Sequence, residues 1–221
     1  MSEQHPPKRF VVGVSGASGA IYTERLLEAL AATPHQIEVV ASKVGSEIFR
    51  QERGRSLAGC IEALVAQGAA MRAWEAGDYY APFSSGTQRY DGMAVVPCSG
   101  GALGRIAHGT STDLLARAAD VMLKEGRPLV LLLRETPLSE VHLQNMLLVR
   151  RAGAVVMPAS PGFYSHPKDL VELADSLVQR VLDHLDVNAP VFRRWRERAG
   201  EIRRPEAPQR DLEDADPERQ S

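Results

Sequence analysis

Five short apolar runs alternate along this chain with segments of helical periodicity, and that alternation leaves few architectures open. Residues 9–14, 37–41, 93–97, 128–133 and 154–157 are nearly continuous in Val, Ile, Leu, Ala and Met, with little polar interruption. Strands that are apolar on both faces must be covered on both, as in the parallel sheet of an α/β protein. Helical patterns follow the first two runs, to residue 30 and to about residue 53. Others occupy 57–67, 103–126 with an interruption near Gly109, 139–152, and about 167–185. The last places Leu170, Leu173, Leu177, Val181 and Leu185 on one face, a period of 3.6. Residues 54–92 resist assignment beyond helix 57–67 and a Ser/Gly-rich loop over 81–91. The sequence predicts a three-layer α/β fold, Rossmann-like or flavodoxin-like, with a parallel sheet.

Right-handed crossovers put the carboxyl ends of all such strands on one edge, where ligands bind. The residues just after each apolar run therefore form a candidate rim. They are Ser15-Gly16-Ala17-Ser18-Gly19, Ser42-Lys43, Cys98-Ser99-Gly100-Gly101, Arg134-Glu135, and a Pro/Gly-rich loop ending on Tyr164.

Of 221 residues, 44% are apolar and 24% charged, enough for one domain of residues 9–198. Residues 1–8 and the Glu/Asp/Arg/Pro-rich stretch 199–221 are expected to be disordered, and Trp195 to anchor the chain ahead of that stretch. A net charge of −2 offers no footprint for nucleic acid, and no run has the length of a membrane span. Two cysteines and no apolar leader ahead of the first strand point to the cytoplasm.

Gly13-Val-Ser-Gly16-Ala-Ser-Gly19 opens a helix after a strand, so its N–H groups suit a phosphate; a tight turn without a ligand is the alternative. The second strand ends on Ser42 and Lys43, not on the acid that a dinucleotide ribose requires, which favours a mononucleotide contacted by Ser15, Ser18 and Ser42. Asp113, Arg117, Asp120 and Lys124 read as a salt-bridge ladder on a helix, or as two cations for an anionic substrate. Glu135 is either a proton-transfer group or a carboxylate neutralised by Arg134, and Glu52 reads as a solvated charge. His108 and His142 have no metal-ligand spacing, so no metal site is expected. Cys98 reads as a small core residue.

Taken together, Val-Gly-Val-Ser-Gly-Ala-Ser-Gly-Ala-Ile-Tyr (12–22), Ala-Arg-Ala-Ala-Asp-Val-Met-Leu-Lys-Glu (116–125), Leu-Arg-Glu-Thr-Pro-Leu-Ser (133–139), His-Leu-Gln-Asn-Met (142–146) and Pro-Ala-Ser-Pro-Gly-Phe-Tyr (158–164) resemble the UbiX-type flavin prenyltransferases. The similarity runs in register from about Arg9 to Trp195. It implies a homo-oligomer, commonly a dodecamer, with sites between subunits. It implies transfer of a dimethylallyl group from dimethylallyl monophosphate to reduced FMN, without a metal, and delivery of the prenylated FMN to a UbiD-type decarboxylase.

Residue by residue, the resemblance assigns Gly16, Ala17, Ser18, Ser42, Ser99, Gly100, Gly101, Ala102 and Arg134 to FMN. It assigns Tyr164 and Arg180 to the prenyl phosphate, with Arg117 and Lys124 completing that pocket. Glu135 would take the proton leaving the flavin ring, with Ser18 as a relay and Glu52 as a second acid near the site; Tyr79 stands where relatives often have Trp. The chain departs from the family at Ser99-Gly-Gly-Ala102, where many relatives have Ser, a variable residue, Lys and Thr, and in the stretch after Ala199. Two other readings compete. One is an FMN-dependent decarboxylase of the cysteine-peptide type; the other is a non-catalytic flavin carrier subunit.

Overall fold

The computed structural model describes residues 6–192. Its strands are β1 (Arg9–Val14), β2 (Gln36–Ala41), β3 (Met71–Trp74), β4 (Gly92–Cys98), β5 (Leu129–Leu133) and β6 (Val155–Pro158). Its helices are α1 (Ala20–Ala31), α2 (Lys43–Arg53), α3 (Leu57–Ala66), α4 (Gly100–Ala107), α5 (Leu114–Lys124), α6 (Glu140–Arg151) and α7 (Leu170–His184). The strands form one sheet in the order β3-β2-β1-β4-β5-β6, and every pairing is parallel. This is the doubly wound order, with its switch point between β1 and β4.

Alternate residues of each strand enter different cores. Val12, Val39, Ala94, Val130 and Leu132 pack with α1, α3 and α7, whereas Val11, Val40, Met93, Val95 and Leu131 pack with α4 and α5. Each such Val, Leu or Met side chain, fully removed from water, contributes about 1.5–3 kcal/mol, which is why the apolar runs were so continuous.

β3 is a strand that periodicity did not reveal. It is a four-residue edge strand with Arg72 in its middle, so it has no apolar run to read. Its cohesion is partly aromatic: the Arg72 guanidinium lies 3.9 Å from the centre of the Trp74 ring, and Trp74 Nε1 donates to Glu38 at 2.6 Å. The expected break near Gly109 is real; that residue is left-handed at φ 62°. α7 begins at Leu170, later than the periodicity suggested, because Asp169 caps it by accepting the Glu172 N–H at 2.8 Å.

Of the segments expected to lack order, residues 1–5 and 199–221 lie outside the described residues, as does Trp195. Lys8 is held: its carbonyl accepts from Gln36 N–H at 2.9 Å and its ammonium meets Asp186 at 2.6 Å. Among the described residues, no helix is long and apolar enough to cross a membrane.

One glycine sets how closely α2 approaches the end of β1. A Cβ on Gly45 would lie 2.5 Å from the Val14 carbonyl oxygen, a backbone atom that cannot step aside. Gly101, near the start of α4, would meet nothing closer than Arg105 at 3.8 Å. Denaturant unfolding should therefore separate the two: Gly45→Ala loses about 2–3 kcal/mol by overpacking, whereas Gly101→Ala is neutral or gains up to about 1 kcal/mol. Equal effects would contradict this packing.

Candidate active site

The carboxyl ends of β1 and β4 are joined at Ser15, whose backbone N–H reaches the Pro97 carbonyl at 3.2 Å and whose hydroxyl is buried between them. Ser15 Oγ donates to the Pro97 carbonyl at 2.8 Å and accepts the Ser99 N–H at 2.8 Å. With only 1% of its surface exposed, Ser15 is part of the frame, not the phosphate or ribitol contact the sequence suggested. Beyond this joint the chain turns outward, β1 toward β2 and β4 toward β5, which opens a crevice.

The crevice is lined by N–H donors. Ser42 caps α2 by accepting the Gly45 N–H at 3.0 Å, and Ser99 caps α4 by accepting the Ala102 N–H at 3.2 Å. Each hydroxyl keeps its own proton to donate. Gly100 and Gly101, in the first turn of α4, precede the first intrahelical donor, so their N–H groups have no partner among the described residues, Gly101 exposed and Gly100 beneath His142 and Glu135. No Gly101 side chain obstructs them. Arg134 spans the opening: its backbone N–H donates to Cys98 O at 2.9 Å and its Nε to Ser18 O at 3.2 Å. That leaves the terminal guanidinium nitrogens for a ligand.

The start of α1 behaves differently from the expectation of a phosphate cradle. Glu52, reaching over from the last turn of α2, accepts the Ala20 N–H at 2.7 Å and the Gly19 N–H at 3.0 Å. A carboxylate of the chain itself thus occupies the positive end of this helix. The reading of Glu52 as a solvated charge fails for this reason. Burial alone would raise its pKa, but the hydrogen bonds from Ser18, Gly19 and Ala20, with the Arg134 charge, hold it below the usual carboxylate range. Any phosphate is left with the donors of Gly16, Ser18 and the start of α4.

Glu135 stands at the end of β5, half-buried, with Oε1 accepting the Thr136 N–H at 3.2 Å. Its Oε2 and His142 Nε2 both crowd the place a Gly100 side chain would fill. Cys98 is fully buried, and burial pushes its thiol up to about 12, so it carries no thiolate at neutral pH. Among the described residues, no group of three or more His, Cys, Asp or Glu side chains could hold a metal ion.

The four cations and aromatics expected at the prenyl phosphate do not converge within one chain. Tyr164 and Arg180 line a common cavity of about 810 Å³ between β6 and α7, with Ser160, Gly162 and Gln179. Arg117 and Lys124 lie elsewhere. α5 starts at the carboxyl edge, where Leu114 N–H meets Ala76 O, and runs toward the opposite edge, where β5 begins. Lys124 is therefore at the amino edge, beside Gly86 and paired with Glu125 at 2.6 Å. A seven-residue strand puts about 20 Å between the two edges. The expected ladder is also broken up: Asp113 caps α5, and Arg117 pairs with Asp120 at 3.0 Å and donates to Ser84 O at 3.0 Å. The direction of α5 was readable in the sequence, since Lys124 comes only five positions before β5. Tyr79 follows β3 at the carboxyl edge and donates to Ser111 O at 3.3 Å.

The Glu52 contact gives a pH-dependent stability. Its folded-state pKa lies below the unfolded one, so protonation favours unfolding; the contribution is present at neutral pH and is lost as pH falls through the folded value. Glu52→Gln should cost about 0.5–1 kcal/mol at pH 7, allowing for solvent screening, and the gap to the parent should narrow in acid. Urea unfolding at pH 7 and in acid checks this; a gap that is absent at pH 7 or widens in acid contradicts it.

Comparison with known proteins identifies the family. A family model described as Flavoprotein matches residues 1–182. The flavin prenyltransferase UbiX of Deinococcus radiodurans is 46% identical over 191 residues, which is 86% of this chain and 95% of that protein. Among solved structures, AnUbiX in complex with FMN and dimethylallyl pyrophosphate superposes with a TM-score of 0.80 at 43% identity, covering 86% of this chain and 97% of that one. A dodecameric FMN-dependent UbiX-like decarboxylase from Escherichia coli O157:H7 gives 0.79 at 40% identity, covering 85% and 98%. On the strength of these long matches, the chain belongs to the UbiX flavin prenyltransferase family of flavoproteins.

Proposed function

We propose that this protein transfers the dimethylallyl group of dimethylallyl monophosphate to reduced FMN. The observation that carries the reading is the meeting, at one crevice, of free N–H donors on α4 with Arg134 and the carboxylate of Glu135. In the reaction, the allylic C–O bond breaks with its electrons leaving on phosphate. The central-ring nitrogen bonds to the allylic carbon and gives up its N–H proton; the prenyl C=C then takes up a proton, its substituted carbon bonds to the neighbouring benzenoid carbon, and that carbon releases its proton.

Each residue then has a task. Gly16, Ala17, Ser18, Ser42, Ser99, Gly100, Gly101 and Ala102 hold FMN against backbone, and Arg134 supplies its cation. Gly101 and Ala102 lack the longer side chains of many relatives, so the grip here rests on N–H groups. Glu135 accepts the ring proton. Ser18 is the relay, and Glu52, tied to the Ser18 side chain and to the start of α1, acts through it. Tyr164 and Arg180 receive the prenyl phosphate, where positive charge stabilises the departing anion. Tyr79 shelters the allylic cation through its ring face.

Lys124 is at the far edge of its own sheet and Arg117, near the start of α5, is turned to Ser84 and Asp120, so both serve the site of a neighbouring copy. This favours an oligomer with composite sites, and the dodecameric relative favours a dodecamer. The same reading makes a UbiD-type decarboxylase in the cytoplasm the recipient of the prenylated FMN. A carrier would have no use for Tyr164 and Arg180 together in a second pocket. A cysteine-peptide decarboxylase would carry its Asn/Met clamp where this chain has Arg134-Glu-Thr-Pro.

The test is phosphate release from dimethylallyl monophosphate with reduced FMN under anaerobic conditions. Glu135→Gln and Lys124→Gln should each lower turnover by roughly a hundredfold. Co-expressed, they should recover roughly a quarter of parental turnover, because random assembly restores that share of composite sites. Absence of phosphate release by the parent protein sinks the transferase reading. Activity of single variants without recovery on mixing sinks the composite site.

A further inference from the structure

His142 belongs to a motif that the reaction above leaves without a task. It sits in the first turn of α6, which packs against α4 through a seam of small and polar residues. On α4 the seam is Gly100, Gly104 and His108, spaced four apart; on α6 it is His142, Asn145 and Val149. A Cβ on Gly104 would lie 3.4 Å from Asn145 Nδ2, and Asn145 Oδ1 meets His108 Nε2 at 3.1 Å. Asn145 is buried, so its pairing with His108 fixes the turn of α6 that carries His142.

The ring itself is oriented from the other side. Ser139 Oγ accepts the His142 N–H at 3.3 Å, and His142 Nδ1 accepts the Ser139 N–H at 3.2 Å. This is a capping box in which imidazole stands where Glu or Gln is usual. A ring nitrogen that accepts an amide proton carries none, so the neutral ring holds its proton on Nε2. That atom is turned toward Gly100. A Cβ there would lie 2.7 Å from His142 Nε2 and 3.0 Å from Glu135 Oε2, so both polar atoms border one small space that exists because residue 100 is glycine.

We propose that His142 is a positioning residue for Glu135, its Nε2–H taking the carboxylate Oε2 across the space above Gly100. No direct hydrogen bond joins the two in the present conformation, and rotation of the Glu135 side chain closes the gap. With Thr136 N–H on Oε1 and His142 on Oε2, the plane of the carboxylate is fixed, and each oxygen keeps a lone pair for the incoming proton. The proton passes from the ring carbon to Glu135 while the C–H electron pair returns to the ring; His142 gains and loses nothing. The inference rests on the proposed role of Glu135 in the transferase.

Two measurements test it, one independent of turnover. In the FMN-loaded protein with 15N-labelled histidine, the His142 signal, identified by its loss in His142→Gln, should be that of an Nε2–H ring and should shift in Glu135→Gln. An Nδ1–H ring, or no shift, overturns the proposal even if the enzyme is active. In single turnovers with FMN deuterated at the benzenoid carbon, His142→Ala should slow ring closure by roughly tenfold and enlarge the isotope effect, leaving the first bond-forming step within about twofold. His142→Gln, which keeps a donor and an acceptor, should restore much of the loss. Equal slowing of both steps, or of neither, overturns it. If the parent protein forms no prenylated flavin, the transferase reading fails, and the spectra still decide whether His142 holds Glu135.

Discussion

The Ser15 hydroxyl is the point from which the architecture of the crevice follows. It donates to Pro97 O and accepts from Ser99 N–H, so the carboxyl ends of β1 and β4 are pinned together where their chains part. Proline at 97 has no N–H to offer β1, and the joint is made instead by its carbonyl, which accepts the Ser15 hydroxyl at 2.8 Å and the Ser15 N–H at 3.2 Å. The position is almost wholly enclosed, and loss of its hydroxyl would leave the Ser99 N–H without this partner and the Pro97 carbonyl with the Ser15 N–H alone, at 3.2 Å. Four of the residues assigned to flavin are placed by this joint: Gly16 and Ser18 just after it on β1, Gly100 and Gly101 just after it on β4.

Helix starts around the crevice are used in two ways. That of α1 is closed by Glu52 from within the chain, while that of α4 keeps its first N–H groups available and has two glycines beside them. Carboxylate and phosphate seek the same electrostatic feature. Filling one such end with an internal acid therefore leaves the other as the better place for an external anion. Arg134 is balanced between them, donating to Ser18 O while its charge helps to keep Glu52 ionised.

Much of this was legible in the residues. Strands buried on both faces announce themselves as apolar runs, and the turns after them fall on one edge by topology alone. β3 escaped because an edge strand with Arg72 at its centre has no such run. The rim was legible as a set of turn residues, but the bonds within it were not. Nothing in local sequence says that Glu52 reaches the start of α1, or that Ser15 rather than Ser42 is buried, because both depend on how α2 and β4 approach β1. The placement of His142 was hidden likewise: its ring and Glu135 border one space only because α6 folds back onto α4 beside a glycine. For Arg117 and Lys124 the helix spacing showed a shared face, and the closeness of Lys124 to β5 showed which end of the sheet it reaches, but not where a second copy would lie.

The central claim is that the crevice modifies its flavin covalently. The most direct measurement is the mass of the flavin recovered from protein incubated anaerobically with reduced FMN and dimethylallyl monophosphate. The account predicts FMN heavier by one five-carbon unit, and no such species with Glu135→Gln. Flavin of unaltered mass on well-folded parent protein would contradict it.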